Sequence, residues 1–326
     1  MSPLLVPMIS AVPAERPDEA DTASEVAGVA GALAALGYAT EAIAVDLDFT
    51  VLDRLARMRP LVVFNLVESL RGDGRLGYLP VAMLEHLGLA FTGSGSRAYF
   101  LANSKLTAKQ VLGANGLPTP EWWTDGHRVP AGRRVIVKAV DEHASLGMDH
   151  DSVVSGTAAA PAIARRERQF ATSFFAEEYV EGPEFNVSLI EDRQGVRVLP
   201  IPEMTFDAWP TERPRIVDYE AKWSTESAAY DTTRRRFGLE AGEPGLARDL
   251  ARLAESCWHA FGLRGYARID FRTDLQGRPT IIDVNANPCL AGDAGFAAAG
   301  EEAGIGYRDL VAMIVHAAIG TTARAA

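Results

Sequence analysis

The sequence contains little cysteine and no long apolar run, and both shortages exclude classes of protein. Its 326 residues include two cysteines, Cys257 and Cys289. Two cysteines cannot build the disulfide framework of a small secreted protein, and these two do not form the CxxC pair typical of a zinc site. No apolar run approaches the roughly 20 residues that a membrane-spanning helix needs. The sequence therefore predicts a cytoplasmic protein without a membrane segment.

Basic charge is also scarce. The formal net charge is −11, which argues against a nucleic-acid partner because phosphate binding needs a basic patch. The 32 basic residues include only four lysines, Lys105, Lys109, Lys138 and Lys222. Lysine offers a compact ammonium where arginine offers a planar fork, so these four positions indicate a need for the ammonium itself. Codon bias that left four lysines is the alternative interpretation.

The common motifs of nucleotide and hydrolytic chemistry are missing. No GxxxxGK[ST] phosphate loop, GxSxG elbow or HExxH zinc motif occurs. The glycine-containing segment 92–95 lacks the third glycine of a dinucleotide-binding fingerprint. If the protein binds nucleotide phosphates, it must therefore do so without a glycine loop.

The order of predicted elements indicates an α/β (α+β) protein with two or three domains. The first nine residues lack a basic segment and contain prolines, so they favour a strand over a signal peptide. Across the first hundred residues, short apolar strands alternate with helices, which predicts an open parallel αβ sheet. Residues 246–261 have the apolar stripe of an amphipathic helix that Gly262 ends. Residues 155–161, mostly alanine and glycine, are predicted to be a linker.

A hairpin with facing carboxylates is the strongest chemical signal in the sequence. Residues 265–272 and 280–288 both alternate apolar and polar side chains, as strands do. A turn between them would place Asp270 opposite Asp283, with Asn285 on the same face. Facing carboxylates repel, so such a pair indicates a bound cation or a shared proton. Two Asp and one Asn offer the hard oxygen ligands that suit Mg²⁺, with phosphates completing its shell.

The hairpin region also allows interpretations in which its residues have only a structural role. Its polar face could be a solvated edge, although a solvated face would usually mix charges of both signs. The alternation in the second arm places Ile282 and Val284 together on the apolar face. Cys289, just beyond the hairpin, is either a nucleophile or a small packed residue, and the second interpretation is favoured.

The order and spacing of several segments resemble the D-alanine–D-alanine ligase-like group of the ATP-grasp superfamily. The matching segments are residues 91–95, 104–109, 116–120, 137–138, 177–185, 218–222 and the carboxylate hairpin. Each segment is weak by itself, and their common order makes the resemblance specific. The resemblance implies an ATP-grasp fold, in which an N-terminal open parallel αβ domain precedes two subdomains whose antiparallel sheets sandwich ATP.

The same resemblance implies an ATP site in which lysines replace a phosphate loop. Its ATP-binding residues would be Lys105, Lys138, Ser145, Glu177, Glu178, Val180, Glu184 and Lys222. The three lysines would hold the phosphates, while Lys109 would have a structural role. Glu177 would accept a hydrogen bond from the exocyclic amine of adenine, and Val180 would offer its backbone. Glu184 would bind the ribose hydroxyls, and the loop at Ser145 would close over the phosphates.

The hairpin would supply the metal ligands and the catalytic arginine. By the resemblance, Asp270, Asp283 and Asn285 bind two Mg²⁺ ions, for which Mn²⁺ can substitute. Arg268 would stabilise negative charge on an acyl phosphate and on the tetrahedral intermediate, as an oxyanion clamp does. Lys222 is the second residue to which the resemblance gives a catalytic role.

The sequence departs from the family pattern on the amino-acid side. Ala23 stands where the family has a glutamate that orients the first substrate's ammonium. Ala144 and Ala294 replace serines of the phosphate loop and of the second substrate's carboxylate site. Trp223 replaces a tyrosine, and Cys289 replaces a glycine whose N–H faces the oxyanion. With these replacements, D-alanine would find few of its usual hydrogen-bond partners. Hydrogen-bonding sites discriminate steeply between substrates, because buried polar groups without partners are costly.

Five residues are candidates for reshaping the substrate pocket. They are Glu68, His143, Trp223, Cys289 and Asp293. Their alternative interpretations are a packed tryptophan, a small buried residue and solvated loop charges.

We therefore predict an ATP-dependent carboxylate–amine ligase that releases ADP and phosphate and acts on another amino acid or small carboxylate. The alternatives are an ATP-grasp small-molecule kinase, a D-alanine–D-alanine ligase proper, and a nucleotide-binding protein that has lost catalysis.

The predicted domains follow the same pattern. Residues 1–102 would form the N-terminal αβ domain, residues 103–183 the central subdomain over ATP, and residues 184–326 the C-terminal subdomain with the metal and catalytic groups. The resemblance implies a homodimer formed through the N-terminal domain. Small amino-acid or carboxylate substrates are the expected partners, with neither nucleic acid nor membrane among them.

Overall fold

The computed structural model describes residues 4–12, 17–48, 50–142, 145–207, 209, 213–217 and 232–325. Three of the predicted site residues, His143, Lys222 and Trp223, lie outside these ranges.

The N-terminal part is a parallel sheet with helices, as predicted. Its three strands are ordered β2-β1-β3 and pair in parallel. Strand β3 is buried, as strands of parallel sheets usually are, while the edge strand β2 exposes Ala42 and Ala44. In chain order the elements are β1 (Met8–Ala11), α1 (Pro17–Ala35), β2 (Ala42–Val45), α2 (Thr50–Met58), β3 (Phe64–Asn65), α3 (Tyr78–His86) and α4 (Ser96–Asn103).

The central part is a four-stranded antiparallel sheet with one helix packed on it. The elements are α5 (Lys105–Ala114), β4 (Trp122–Trp123), β5 (Arg134–Ala139), β6 (Val153–Ser155), α6 (Ala159–Phe170) and β7 (Phe174–Glu178), and the sheet order is β4-β7-β5-β6. Val135 and Val137 of β5 pack with Ala159 and Ile163 of α6 in a separate hydrophobic core. The central sheet and α6 therefore have their own core, distinct from those of the other two sheets.

The prediction of a linker at residues 155–161 is wrong. Strand β6 ends at Ser155, a 3-10 turn spans Gly156–Ala158, and helix α6 begins at Ala159. Alanine is the best helix former, so its abundance here builds a helix. Pro161 lies in the first turn of α6, where a missing N–H leaves no intrahelical bond unmade.

The C-terminal part is a six-stranded antiparallel sheet covered by helices. The elements are β8 (Glu184–Asp192), β9 (Gly195–Val198), β10 (Glu203–Phe206), β11 (Thr233–Arg236), α7 (Leu239–Gly242), α8 (Pro244–Phe261), β12 (Tyr266–Thr273), β13 (Pro279–Asn285), α9 (Gly295–Glu302) and α10 (Tyr307–Ala325). The order is β11-β10-β8-β12-β13, and β9 pairs with β8. The amphipathic helix predicted at 246–261 is α8, whose Leu250, Cys257 and Phe261 are buried.

The N-terminal and C-terminal sheets share their hydrophobic cores. Met8 and Phe64 of the parallel sheet pack in one cluster with Tyr266 of β12 and Ile314 of α10. The side chains of α5 join a second shared cluster through Leu112. The domain boundaries stay a prediction. Among the helices of the described residues, none combines the length and the apolar character that crossing a membrane requires.

The hairpin of β12 and β13 has the predicted register, with one irregularity. Asp270 lies opposite Asp283, and the register then shifts so that Phe271 pairs with Ile281. Ile282 is therefore the extra residue of a β-bulge. Ile281 is fully buried and Ile282 is only partly buried, so the prediction that Ile282 shares the apolar face with Val284 is wrong.

A substitution at Gly156 tests whether residues 155–161 pack against the neighbouring backbone. A Cβ added there would lie 2.1 Å from the backbone oxygen of Pro130, whereas one at Gly132 would meet nothing within 4 Å. Gly156→Ala should therefore lower the free energy of unfolding by about 1–3 kcal/mol, as overpacking does. Gly132→Ala, the matched control, should change it by less than about 0.5 kcal/mol. Equal stability of the two variants in chemical denaturation would contradict this packing.

Candidate active site

Asp270 is held by donors from its own strand and from the neighbouring strand. Arg268 donates through Nε to Oδ1 at 2.8 Å and through Nη2 to Oδ2 at 2.9 Å. Asn186, opposite Asp270 on β8, donates through Nδ2 to Oδ1 at 2.9 Å. Burial would lower the pKa of Arg268, but the charge and hydrogen bonds of Asp270 outweigh it and raise that pKa. Arg268 therefore remains charged beside Asp270.

Asp283 lies across the hairpin from Asp270 and near a lysine of helix α5. The Nζ atom of Lys105 lies 3.9 Å from Oδ1 of Asp283. The same ammonium donates to the backbone oxygen of Glu142. Asn285 accepts a hydrogen bond from the backbone N–H of Asn287 through Oδ1 at 2.9 Å. The structure thus brings Lys105 and Arg268 together with the three predicted metal ligands.

A buried lysine–glutamate–lysine cluster lies next to this hairpin. Oε2 of Glu177 is 2.6 Å from Nζ of Lys109, and Oε1 is 2.5 Å from Nζ of Lys138. Burial alone would raise the pKa of Glu177, yet the two lysines lower it below the usual value. Burial lowers the pKa of Lys109 despite the charge of Glu177. Glu177 therefore stays ionised between two ammonium groups.

All lysines of the described residues are buried. Lys105, Lys109 and Lys138 each have a defined partner at the candidate site. A lysine retained merely through codon bias would have no reason to be buried, because burying an ammonium is costly unless it is paired. Their placement favours the interpretation that these positions need an ammonium.

The other predicted nucleotide contacts are spread around this cluster. Ser145 donates through Oγ to the backbone oxygen of Val217 at 3.2 Å. Glu178, next to Glu177 on β7, pairs instead with the half-exposed Arg133, at 2.5 Å. Val180 and Glu184 flank the turn between β7 and β8 and are partly buried.

A buried arginine fixes that turn, and sequence reasoning missed its role. Arg272 on β12 donates through Nη2 to the backbone oxygens of Gly182 at 3.0 Å and of Arg215 at 2.8 Å. Its guanidinium also lies 5.1 Å from the ring centroid of Tyr179. The signal was available, because Arg272 continues the polar alternation of Arg268 and Asp270 along the strand.

The predicted pocket residues are more scattered than the nucleotide residues. Glu68 and Asp293 are exposed, and the backbone oxygen of Asp293 accepts from Nη1 of Arg235 at 2.9 Å. Cys289 is partly buried, and its Sγ accepts a weak hydrogen bond from the N–H of Ala291 at 3.5 Å. Glu25, which the sequence analysis passed over, is a buried acid of α1 whose Oε1 accepts from the N–H of Leu290 at 2.6 Å.

The side chains of the hairpin suit a hard divalent cation whose remaining ligands are phosphate oxygens. Within the described ranges, no group of three or more His, Cys, Asp and Glu side chains is arranged to hold a metal. The candidate set is two Asp and one Asn, too few ligands for Mg²⁺ without further oxygens. Oδ2 of Asp270 accepts one hydrogen bond, from Nη2 of Arg268, and has a second lone pair, so this contact does not exclude a cation at Oδ2.

The Lys109–Glu177 pair should be important for stability. Lys109→Met leaves the buried Glu177 paired with Lys138 and should lower the free energy of unfolding by about 1.5–3 kcal/mol, the cost of losing a hydrogen bond to a charged group. The control is Arg75→Met, which removes a pair with Asp73 in which the arginine side chain is 65% exposed. That change should cost less than about 1 kcal/mol. Similar midpoints for both variants in urea denaturation would show that the buried pair is not stabilising.

Comparison with known families and proteins agrees with this geometry. The profile of the family described as "D-ala D-ala ligase C-terminus" matches residues 129–316, more than half of the chain. The D-alanine–D-alanine ligase of Moorella thermoacetica is 30% identical over 308 residues, which cover 89% of this chain and 92% of that protein. The uncharacterised protein y4sG of Sinorhizobium fredii is 30% identical over 275 residues, or 80% of this chain and 77% of that protein.

A solved structure confirms the predicted fold. The D-alanine–D-alanine ligase from Bacillus anthracis complexed with ATP superposes with a TM-score of 0.76 at 16% sequence identity, covering 98% of this chain and 100% of that chain. The protein therefore has the ATP-grasp fold. With the sequence matches above, this chain belongs to the D-alanine–D-alanine ligase family, whose members are ATP-dependent C–N ligases.

Proposed function

We propose that this protein joins a carboxylate to an amine through an acyl phosphate, with release of ADP and phosphate. The observation that carries this proposal is the hairpin on which Asp270 and Asp283 face each other beside Arg268 and Lys105. Membership of the family supports the ATP-dependent ligase class, with ATP and Mg²⁺ as its requirements. The roles of the individual residues are part of the same proposal.

The reaction needs activation because an amine cannot displace oxide from a carboxylate. A carboxylate oxygen of the first substrate attacks the γ-phosphorus of ATP, the bond to the β–γ bridging oxygen breaks, and ADP leaves. The uncharged amine of the second substrate then attacks the carbonyl carbon of the acyl phosphate. Phosphate leaves and the nitrogen loses a proton as the amide forms. Positioning and charge neutralisation account for most of the catalysis of such phosphoryl transfers.

The buried cations suit these steps. We assign Lys105 and Lys138 to the ATP phosphates, where fixed ammonium groups neutralise charge without reorganising. Lys222, outside the described residues, has the matching sequence position for a third phosphate lysine. Arg268, fixed by Asp270, would face the oxygen on which negative charge develops. Glu184 would hold the ribose, and the backbone at Val180 the adenine.

The metal ligands would act together with the lysines. Asp270, Asp283 and Asn285 would hold Mg²⁺ between the hairpin and the phosphates. When bound, Mg²⁺ supplies positive charge to the transferring phosphoryl group and to the leaving oxygen. Two acids and an amide leave coordination positions that phosphate oxygens can complete.

We further propose that the two joined substrates are not both D-alanine. Ala23, Ala294 and Cys289 replace residues that the family uses for the amino-acid substrates. Ala294 lies at the N-cap of α9 and offers no side-chain hydrogen bond. A charged group of D-alanine that was buried there without a partner would bind weakly, because burying an unpaired charge is costly. D-alanine–D-alanine ligase activity proper is the alternative, and it also fits the family.

The test of the function is product analysis with purified protein. Mg-ATP would be supplied with D-alanine alone and with pairs drawn from a panel of L- and D-amino acids and small carboxylic acids. We expect free phosphate and a new amide, detected by mass spectrometry, for a pair other than D-alanine with D-alanine. Efficient D-alanyl-D-alanine formation would contradict the substrate proposal, and a stable phosphorylated product would instead support a kinase.

A substitution of Arg268 distinguishes an effect on catalysis from an effect on nucleotide binding. Arg268→Met should lower kcat by about 100-fold or more, as loss of an oxyanion donor does, with a smaller change in KM for ATP. Arg278→Met is the matched control on the same hairpin, because its side chain is 77% exposed and pairs with Asp274 and Gln276 of the turn. The control should retain wild-type kcat. An Arg268→Met enzyme with wild-type turnover would remove this arginine from the mechanism.

A homodimer formed through the N-terminal domain and a cytoplasmic location complete the proposal. The resemblance to the family supports both, and light scattering of the purified protein measures the oligomeric state.

A further inference from the structure

We propose that Glu25 and Tyr307 are positioning residues for the loop that follows the metal hairpin. Together they hold the backbone N–H and carbonyl of Leu290, which lie on either side of its Cα atom, and thereby fix the backbone of Cys289 beside the reacting carbonyl. This inference rests on the proposed function, since the loop matters for catalysis only if the hairpin binds the reacting groups.

Both backbone polar groups of Leu290, its N–H and its carbonyl, are bound by side chains from outside the hairpin. The carboxylate of Glu25, on helix α1, accepts from the Leu290 N–H at 2.6 Å. The hydroxyl of Tyr307, on helix α10, donates to the Leu290 carbonyl oxygen at 2.7 Å. Glu25 is only 4% exposed, and Leu290 is buried as well. The two peptide groups that flank the Leu290 Cα atom are thus held by an N-terminal and a C-terminal helix.

A glycine on α1 leaves room for the Tyr307 side chain of α10 beside the loop. Gly28 follows Glu25 by one turn of α1, and a Cβ there would lie 3.1 Å from the hydroxyl oxygen of Tyr307. A larger residue would push Tyr307 away from the loop. Burial, and the nearby charge of Glu25, raise the pKa of Tyr307, so its hydroxyl stays protonated and can donate.

The loop needs such support because it has no regular secondary structure of its own. Strand β13 ends at Asn285 and α9 begins at Gly295. The first part of the loop is fixed through Asn287, whose Oδ1 accepts from Tyr266 at 2.6 Å. A backbone N–H stabilises an oxyanion only at hydrogen-bond distance from it, so a loose loop would lose that interaction.

The reactivity of the Cys289 thiol reports on this loop without requiring activity. Cys289 is partly buried next to Leu290, whereas Cys257 is fully buried and burial raises the pKa of its thiol. Iodoacetamide labelling of the native protein, mapped by mass spectrometry, would therefore compare the two cysteines within one sample. Glu25→Ala should speed labelling of Cys289 about tenfold, the effect of losing a hydrogen bond to a charged group, and leave Cys257 unlabelled.

Conservative variants and a surface control complete the experiment. Glu25→Gln keeps an acceptor oxygen and should label at close to the wild-type rate, while Tyr307→Phe should behave like Glu25→Ala. Glu301→Ala, which removes an exposed acid from α9, should change nothing. Unchanged Cys289 labelling in both Glu25→Ala and Tyr307→Phe would overturn the inference, whatever the protein catalyses.

Kinetics then link the loop to the chemistry. Glu25→Ala should lower kcat with KM for ATP nearly unchanged, and Glu25→Gln should restore most of kcat. If Glu25→Gln is as inactive as Glu25→Ala while its loop stays protected from labelling, Glu25 acts through its charge and the positioning role is wrong. If no amide forms even in the wild-type protein, the proposed function fails, and the labelling rates still decide whether Glu25 and Tyr307 hold the loop.

Discussion

Two aspartates lie opposite each other on adjacent strands, and their repulsion requires positive charge or hydrogen-bond donors nearby. Asp270 and Asp283 would repel across the hairpin if nothing lay near them. The fold places Arg268 and Asn186 on Asp270 and brings Lys105 toward Asp283. Taking so many charges out of water is unfavourable compared with an apolar core of the same size. Their retention is understandable if the hairpin is built to bind a cation and phosphates.

The lysines next to the hairpin are likewise buried charges that are held by an oppositely charged group. Lys109 and Lys138 lie on either side of the buried Glu177, so two positive charges are held next to the site by one negative charge. The central sheet, which carries Lys138 and Glu177, has its own hydrophobic core, while the hairpin lies in the cores shared by the other two sheets. Under the proposed function, ATP would contact both parts, with cations facing its phosphates from each.

Alternation along strands made the hairpin predictable, since period-two patterning fixes which side chains share a face. The pairing of Asp270 with Asp283 followed from it, but the bulge at Ile282 did not, because it depends on how neighbouring strands pack. Helix α6 was missed because alanine and a proline resemble a linker when their position in a first turn is unknown. Glu25 and Asn186 were missed for another reason: their partners lie far away in sequence, and only the tertiary fold brings them together.

The most direct measurement of the central claim is the affinity for ATP with and without Mg²⁺, determined by calorimetry on the wild-type protein and on Asp283→Asn. Asp249→Asn, which changes an exposed acid of α8, is the control. If the facing carboxylates exist to hold a cation against the phosphates, wild type and the control will bind ATP much more tightly with Mg²⁺. Asp283→Asn will then lose most of that gain. Equal Mg²⁺ dependence in all three proteins would contradict the account.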